Sequence, residues 1–224
     1  MKACPLNLIP KKIARLLLLS GIFAVIFYAL HIVIGSMNYP GYNHLTQAIS
    51  DLTGEGAPSQ AIASVFSTIY AILSVIFAFA VFLVFRNDKK LKKIASIIFF
   101  FTMLISFVGY GLFPLDNSLP TSAFVNVMHI IVTIFVVLPT IAMFVLFGIS
   151  FIREKNMRLF GYFTFFCLFL MFLGSMLMGV GPSGYFGVYE RMNIYAIQCW
   201  YLVFSVLLYV HEKPNQIQPV KPLE

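Results

Sequence analysis

Six apolar stretches dominate this chain, and each is long enough to cross a lipid bilayer. They cover approximately residues 13–35, 61–85, 94–113, 122–152, 159–180 and 192–211. A helix needs about 20 apolar residues to cross the hydrocarbon core. Because that core offers no partners to backbone N–H and C=O groups, such spans must be helical. The sequence therefore predicts an all-α fold, an integral membrane bundle of six transmembrane helices that forms a single domain over residues 1–224.

The composition supports this prediction. Hydrophobic residues make up 60% of the chain and charged residues only 10%, whereas a soluble domain carries roughly 25% charged residues. The net charge of +7 does not indicate nucleic acid as a partner, because the basic residues lie in short segments between the apolar stretches and form no continuous face. Membrane lipid is the expected environment.

The basic residues also predict the orientation. All but one of the 15 lie in the N-terminal segment, the second and fourth connections and the C-terminal segment. By the positive-inside rule these segments are cytoplasmic, so both termini are cytoplasmic. Residues 212–224 are then a flexible cytoplasmic tail. No A-x-A-like cleavage site follows the first apolar stretch, which we interpret as an uncleaved first helix.

The longest connection, over residues 36–59, lies on the outer side in this topology. Leu45, Ala48, Ile49 and Leu52 recur in it at helical spacing. This spacing predicts a short amphipathic helix over residues 44–53, either along the membrane surface or folded over the mouth of the bundle.

The same connection carries a family resemblance. Tyr39-Pro-Gly-Tyr-Asn-His, Ile49-Ser-Asp-Leu and Gly56-Ala-Pro, with the later Phe113-Pro-Leu-Asp and His129, resemble the bacterial and archaeal membrane-protein family catalogued as domain of unknown function 998. The resemblance covers most of the chain and implies a six-helix bundle in the cytoplasmic membrane of a prokaryote. It implies no activity.

A fainter resemblance is to the eukaryotic DRAM-like family, whose six-helix members carry an Ile-Ser-Asp motif in the first luminal loop. In that family the motif is typically followed by Pro-Glu, whereas Pro58 precedes Ser59 here. This likeness concerns the fold more than the function.

Polar residues near the outer ends of the helices form the candidate site: His31, Asp51, Asp116, Asn126 and His129. An ionisable residue inside a membrane is a functional candidate because its burial is costly. We predict that these side chains converge on one outward-facing polar cavity. The alternatives are hydrogen bonds between helices for Asn126 and His129, and capping or turn roles for the aspartates. The adjacent Glu190 and Arg191 are expected to form a solvated pair.

Three functional classes fit these residues. The first is a non-catalytic membrane protein whose outward pocket binds a lipid, a small ligand or a partner. The second is an outer-leaflet hydrolase, which resembles ceramidase-like enzymes that combine Ser, Asp and several His around zinc; those have seven helices and a His-x-x-x-His pair that this chain lacks. The third is a small transporter. We favour the first class. We expect no metal site, because catalytic zinc normally has three protein ligands. We expect no cofactor, because no nucleotide-binding motif is present.

Overall fold

The computed structural model describes residues 11–116 and 118–211. Over these residues it is helical, without strands, and its six long helices are α1 (Lys11–Met37), α2 (Gln60–Phe85), α3 (Lys90–Leu112), α4 (Phe124–Ile152), α5 (Arg158–Val180) and α6 (Phe186–His211). All six are long and apolar enough to cross a membrane. The predicted six-helix membrane bundle is therefore confirmed. The predicted tail at 212–224 lies outside the described residues.

The helices form a closed ring. Each helix packs against the next one along the chain, and α1 also packs against α6. Helices α1 and α4 are therefore separated by two helices on either side. We call the end that carries the α1–α2, α3–α4 and α5–α6 connections the loop side, and the opposite end, which carries the α2–α3 and α4–α5 connections, the basic side.

Aromatic side chains fill the ring toward the basic side. The centroid of the fully buried Trp200 ring lies 4.7 Å from those of Phe144 and Phe204, and its indole N–H donates a hydrogen bond to Thr164 at 3.0 Å. Phe160 stacks on the same group. Aromatic pairs at these distances contribute packing energy beyond their buried area. This half of the bundle is thus a packed core, and large apolar side chains elsewhere point outward, as in Phe135, Leu138 and Phe169.

The prediction of an amphipathic helix over residues 44–53 is wrong for the conformation of the backbone. The segment consists of turns and a single 3-10 turn over Ser50–Leu52. Ile49 and Leu52 are buried against protein, but Leu45 is exposed. The segment therefore covers the bundle with part of the predicted apolar face but without the helix.

Competing hydrogen bonds explain this difference. The N–H of Ala48 donates to the Asp51 carboxylate at 3.0 Å, and the N–H of Ile49 donates to the Glu190 carboxylate. In an α-helix these two groups would donate to carbonyl groups four residues earlier. The carbonyl of Leu45, which a helix would pair with Ile49, instead accepts a bond from the backbone of α6 at 3.3 Å.

The sixth helix begins six residues earlier than the predicted residue 192. Helix α6 starts at Phe186, after a 3-10 turn over Ser183–Tyr185. The predicted span began after Glu190 and Arg191, since charged side chains usually lie outside an apolar span. Here both charges lie within the first turns of the helix, where loop atoms partner them.

Candidate functional site

The α1–α2 connection, residues 38–59, is attached to the start of α6 through Arg191. This guanidinium donates to the carbonyl groups of Gln47 at 2.9 Å and Gly187 at 2.8 Å. It also donates to the Tyr42 hydroxyl at 2.8 Å and lies 3.1 Å from His44 Nδ1. Only 8% of Arg191 is exposed. Because a guanidinium can only donate, His44 Nδ1 accepts and carries no proton.

Glu190 binds the same connection from the neighbouring position. Its carboxylate accepts hydrogen bonds from the Ile49 N–H and, at 3.4 Å, from the Ser50 hydroxyl. The expectation that Glu190 and Arg191 form a solvated pair was wrong. Each charge has desolvated polar partners in the connection, and such charge-assisted bonds are the strong ones.

A glycine allows the close approach on which these bonds depend. A Cβ atom built on Gly187 would lie 2.3 Å from the Gln47 carbonyl oxygen and 2.7 Å from that of His44. Both neighbours are backbone atoms, which cannot move aside as a flexible side chain can. Position 187 therefore requires glycine for the connection to contact α6.

The inner surface of the connection is held by further bonds. The Tyr42 hydroxyl donates to the Ala48 carbonyl at 2.5 Å, and the Ser59 hydroxyl donates to that of Leu52 at 2.8 Å. Burial raises the pKa of the Tyr42 hydroxyl, against the opposing effect of Arg191, so Tyr42 is protonated and donates. With its termini and middle fixed, residues 38–59 form a lid on the loop side; we use "lid" for this segment.

A buried polar cluster lies below the lid, between α1, α2 and α6. His31 is 4% exposed, and neither of its ring nitrogens has a hydrogen-bond partner among the described residues. Its ring meets Tyr28 edge-on at 5.5 Å, and Tyr28 meets Tyr70 at 4.7 Å. Gln198 donates to the Tyr70 hydroxyl at 3.1 Å. These contacts connect the three helices through polar and aromatic side chains.

The side-chain carbonyl oxygen of the buried Gln198 also lacks a hydrogen-bond partner in the described part of the chain. The buried Ser74 hydroxyl lies close to the hydroxyl groups of Tyr70 and Tyr201. We define the polar cluster as His31, Tyr70, Ser74 and Gln198. Buried polar groups are nearly always hydrogen-bonded, so each exception requires an explanation such as a bound molecule or water.

The cluster extends from the lid to the middle of the bundle. His31 lies six residues before the end of α1, and Gln198 twelve residues after the start of α6; at 1.5 Å per residue these positions are roughly 9 and 18 Å deep. Tyr28 also packs against the apolar cluster in which Ile49 and Leu52 of the lid meet Ile32 of α1 and Ala63 of α2. The lid therefore covers the outer end of the cluster.

Asn126 and Asp116 occupy a different place, in the α3–α4 connection. The Asp116 N–H donates to the Asn126 side-chain oxygen at 3.0 Å, and the Asn126 amide donates to the carbonyl groups of Asp116 at 2.9 Å and Pro120 at 3.2 Å. The Asp116 carboxylate accepts bonds from the Ser118 N–H at 2.9 Å and from its hydroxyl at 2.5 Å. Both side chains thus stabilise the backbone of this connection.

His129 lies beside the same connection. Its Nδ1 is 2.8 Å from the Phe113 carbonyl, which only accepts, so Nδ1 carries the proton. The His129 ring lies 5.0 Å from the Tyr110 ring. The two connections also meet, because the Glu55 N–H donates to the Leu115 carbonyl at 3.0 Å.

The structure thus places the five sequence-predicted residues in three environments. Asp116, Asn126 and His129 lie in or beside the α3–α4 connection, Asp51 lies in the lid, and His31 lies in the polar cluster on the other side of the ring. A water-accessible cavity that joins them stays a prediction. No group of three or more His, Cys, Asp or Glu among the described residues is arranged to hold a metal ion.

Sequence reasoning missed Tyr70 and Ser74 of the cluster and the roles of Glu190 and Arg191. Gln198 was noticeable as an amide within an apolar stretch. A serine hydroxyl in a helix is a weak signal, because Ser and Thr often donate to a backbone carbonyl of their own helix; a tyrosine is common in apolar stretches for its ring alone.

This arrangement defines a class of protein: a polytopic α-helical membrane protein with a closed six-helix ring and an ordered lid on one side. Within that class, the chain belongs to the family described as Protein of unknown function (DUF998), whose model matches residues 22–207. This confirms the resemblance seen in the sequence. No curated protein and no solved structure matches the chain.

Proposed function

We propose that this chain is a non-catalytic membrane protein that binds a small polar molecule, or the polar head group of a lipid, in the cluster beneath the lid. One observation carries the proposal. Two side chains from two helices, His31 and Gln198, place unpartnered polar atoms in the buried region that Tyr28 and Tyr70 connect. A bound molecule with hydrogen-bonding groups would satisfy them.

The chemistry of the cluster indicates the kind of ligand. A neutral imidazole both donates and accepts, a hydroxyl does the same, and the free oxygen of Gln198 accepts. These groups carry no fixed charge, which favours a neutral ligand with hydroxyl or amide groups. The rings of Tyr28 and Tyr70 offer flat apolar surfaces beside them.

The neighbouring packing supports binding over transport. The aromatic core around Trp200 fills the ring between the cluster and the basic side. A site that is covered by a lid at one end and by a packed core at the other is typical of a ligand pocket.

The proposal includes an orientation. We propose that the loop side faces outward from the cytoplasmic membrane of a prokaryote, with both termini in the cytoplasm. The clustering of lysine and arginine in the connections of the basic side supports this orientation. The ligand would then reach the site from the outer leaflet or the external medium.

Native mass spectrometry of the purified full-length protein tests the function. We expect one copurifying molecule per chain in the wild type, and its loss in Gln198→Met, which keeps the side-chain volume but removes the amide. The matched control is Asn193→Leu, because the Asn193 amide lies on the same helix but is satisfied by Met171 and Ser175 of α5. A wild type with no bound molecule, or equal occupancy in Gln198→Met, would contradict the proposal.

A further inference from the structure

A basic cavity on the opposite side of the bundle has no role in the proposed function. It has a volume of about 280 Å³ and lies between the α2–α3 connection and the end of α4. Its lining is Lys89, Lys90, Leu91, Ser150, Arg153 and Glu154. Three of these six residues are cations and one is an acid.

A buried lysine next to the cavity binds the acidic groups of both connections. Lys92 is 6% exposed, and its ammonium lies 2.7 Å from the Asp88 carboxylate and 2.8 Å from that of Glu154. It also lies 5.2 Å from the centroid of the Phe85 ring. Lys92 therefore joins the two connections, and its single charge is shared between Asp88 and Glu154, the one acid in the lining.

The two salt bridges of this region are both made by Lys92, with Asp88 and Glu154. Lys89, Lys90 and Arg153 are exposed and face the cavity with no acidic partner in this part of the chain. Three like charges around one cavity make it electropositive, which favours the binding of an anion.

The backbone at this place also favours an anion. Helix α3 begins at Lys90, and the amide groups of residues 90–92 have no carbonyl partner within the helix, while the Lys89 N–H just before them donates to the Asp88 carboxylate at 2.6 Å. Such amides, together with the helix dipole, favour phosphate and similar groups. The N-terminus of α3 is an additional contribution. The cations and the cavity are separate observations that do not depend on it.

We propose that this cavity binds a phosphate group, supplied by the head group of an anionic phospholipid. The position of the site favours a lipid as the source. It lies at the ends of spanning helices, where head groups are found, and Leu91 adds an apolar contact beside the cations. Basic pockets between helices at this level are suited to anionic head groups. Free inorganic phosphate shares the chemistry and is the alternative source.

Native mass spectrometry of the full-length protein, titrated with phosphatidylglycerol or phosphatidylcholine, tests the site. The variant Lys90→Gln/Arg153→Gln removes two cations of the lining. The matched control Lys93→Gln/Lys155→Gln removes two exposed cations, one from the first turn of α3 and one from the α4–α5 connection, neither of which lines the cavity. Each cation near an anionic surface contributes about fivefold in affinity, so we expect roughly thirtyfold weaker phosphatidylglycerol binding in the first variant and little change in the control.

The remaining arms decide the outcome. Lys90→Arg/Arg153→Lys keeps both charges and should bind as the wild type does, which separates charge from folding. Displacement of the lipid by millimolar inorganic phosphate would assign the same site to free phosphate. Equal binding of phosphatidylcholine, or equal losses in the Lys90/Arg153 and Lys93/Lys155 pairs, would overturn the proposal.

Discussion

The Arg191 guanidinium donates a hydrogen bond to the Gln47 carbonyl, 144 positions earlier in the chain, at 2.9 Å. This bond joins the lid to α6. The same guanidinium contacts Tyr42 and His44, so one side chain holds three points of the lid. The lid can therefore be tested through single substitutions.

The first prediction concerns Arg191 itself. Arg191→Ala removes several charge-assisted bonds and leaves the Gln47 carbonyl of the lid without this donor, so we expect a loss of about 3 kcal/mol in the free energy of unfolding. Thermal unfolding in detergent measures it. Arg191→Lys should lose less, because it retains a donor. The control Arg158→Ala removes an exposed arginine with one backbone bond on the basic side and should change little. Equal effects of the two alanine substitutions would show that Arg191 does not hold the lid.

The second prediction uses two glycines of the same region. Gly187→Ala puts a methyl group against the Gln47 and His44 carbonyls, whereas an added Cβ at Gly184 meets nothing within 4 Å. Overpacking of this kind costs about 1–3 kcal/mol. We expect Gly187→Ala to lower the Tm and to speed hydrogen exchange in residues 43–53, and Gly184→Ala to do neither. Unchanged exchange in Gly187→Ala would be incompatible with the observed contact.

The third prediction concerns the α3–α4 connection. Asn126→Ala leaves the Asp116 N–H without its acceptor and the carbonyl groups of the connection without their donor. We expect faster hydrogen exchange over residues 114–121 and a loss of about 2 kcal/mol in the free energy of unfolding. The exposed Ser122 provides the control, as Ser122→Ala should leave both unchanged. If hydrogen exchange in Asn126→Ala kept its wild-type rate, Asn126 would not stabilise this connection.

The fourth prediction is a dependence on pH through His44. Burial, and secondarily the Arg191 charge, lower the pKa of the His44 imidazole below its ordinary value of 6.5. The folded state therefore prefers the neutral His44 ring. The stability that this ring contributes is complete above pH 6.5 and is lost as the pH falls below that value. We expect the Tm to fall between pH 7.5 and 5.5, and to fall less in His44→Gln, whose side-chain oxygen can still accept from Arg191. An identical fall in both proteins would exclude His44 as the cause.

The fifth prediction is the orientation. In a background without the native cysteines, Ser118→Cys should react with a membrane-impermeant thiol reagent from outside intact cells, and a reporter fused to the C-terminus should be active only in its cytoplasmic form. Labelling of Ser118→Cys only after the cytoplasmic side is opened would reverse the proposed topology.

The sequence by itself determined the number, type and approximate limits of the spanning helices. That result is local, because about 20 consecutive apolar residues leave the backbone no alternative to a helix in lipid. Five of the six starts were predicted to within four residues, as for Gln60–Phe85 and Arg158–Val180. The family motifs in the first connection were also visible without a structure.

Only the tertiary structure decided how the polar residues are grouped. The periodicity of residues 44–53 predicted a helix, but the Glu190 carboxylate and the α6 backbone compete for the groups that would form it. Likewise, His31 shared an approximate depth with His129, but the closed ring places their helices apart and sets His31 beside Tyr28, which in turn contacts Tyr70. The depth of a residue along a helix can be read from the sequence. What its side chain faces depends on which helices are neighbours, and packing between distant segments of the chain decides which helices those are.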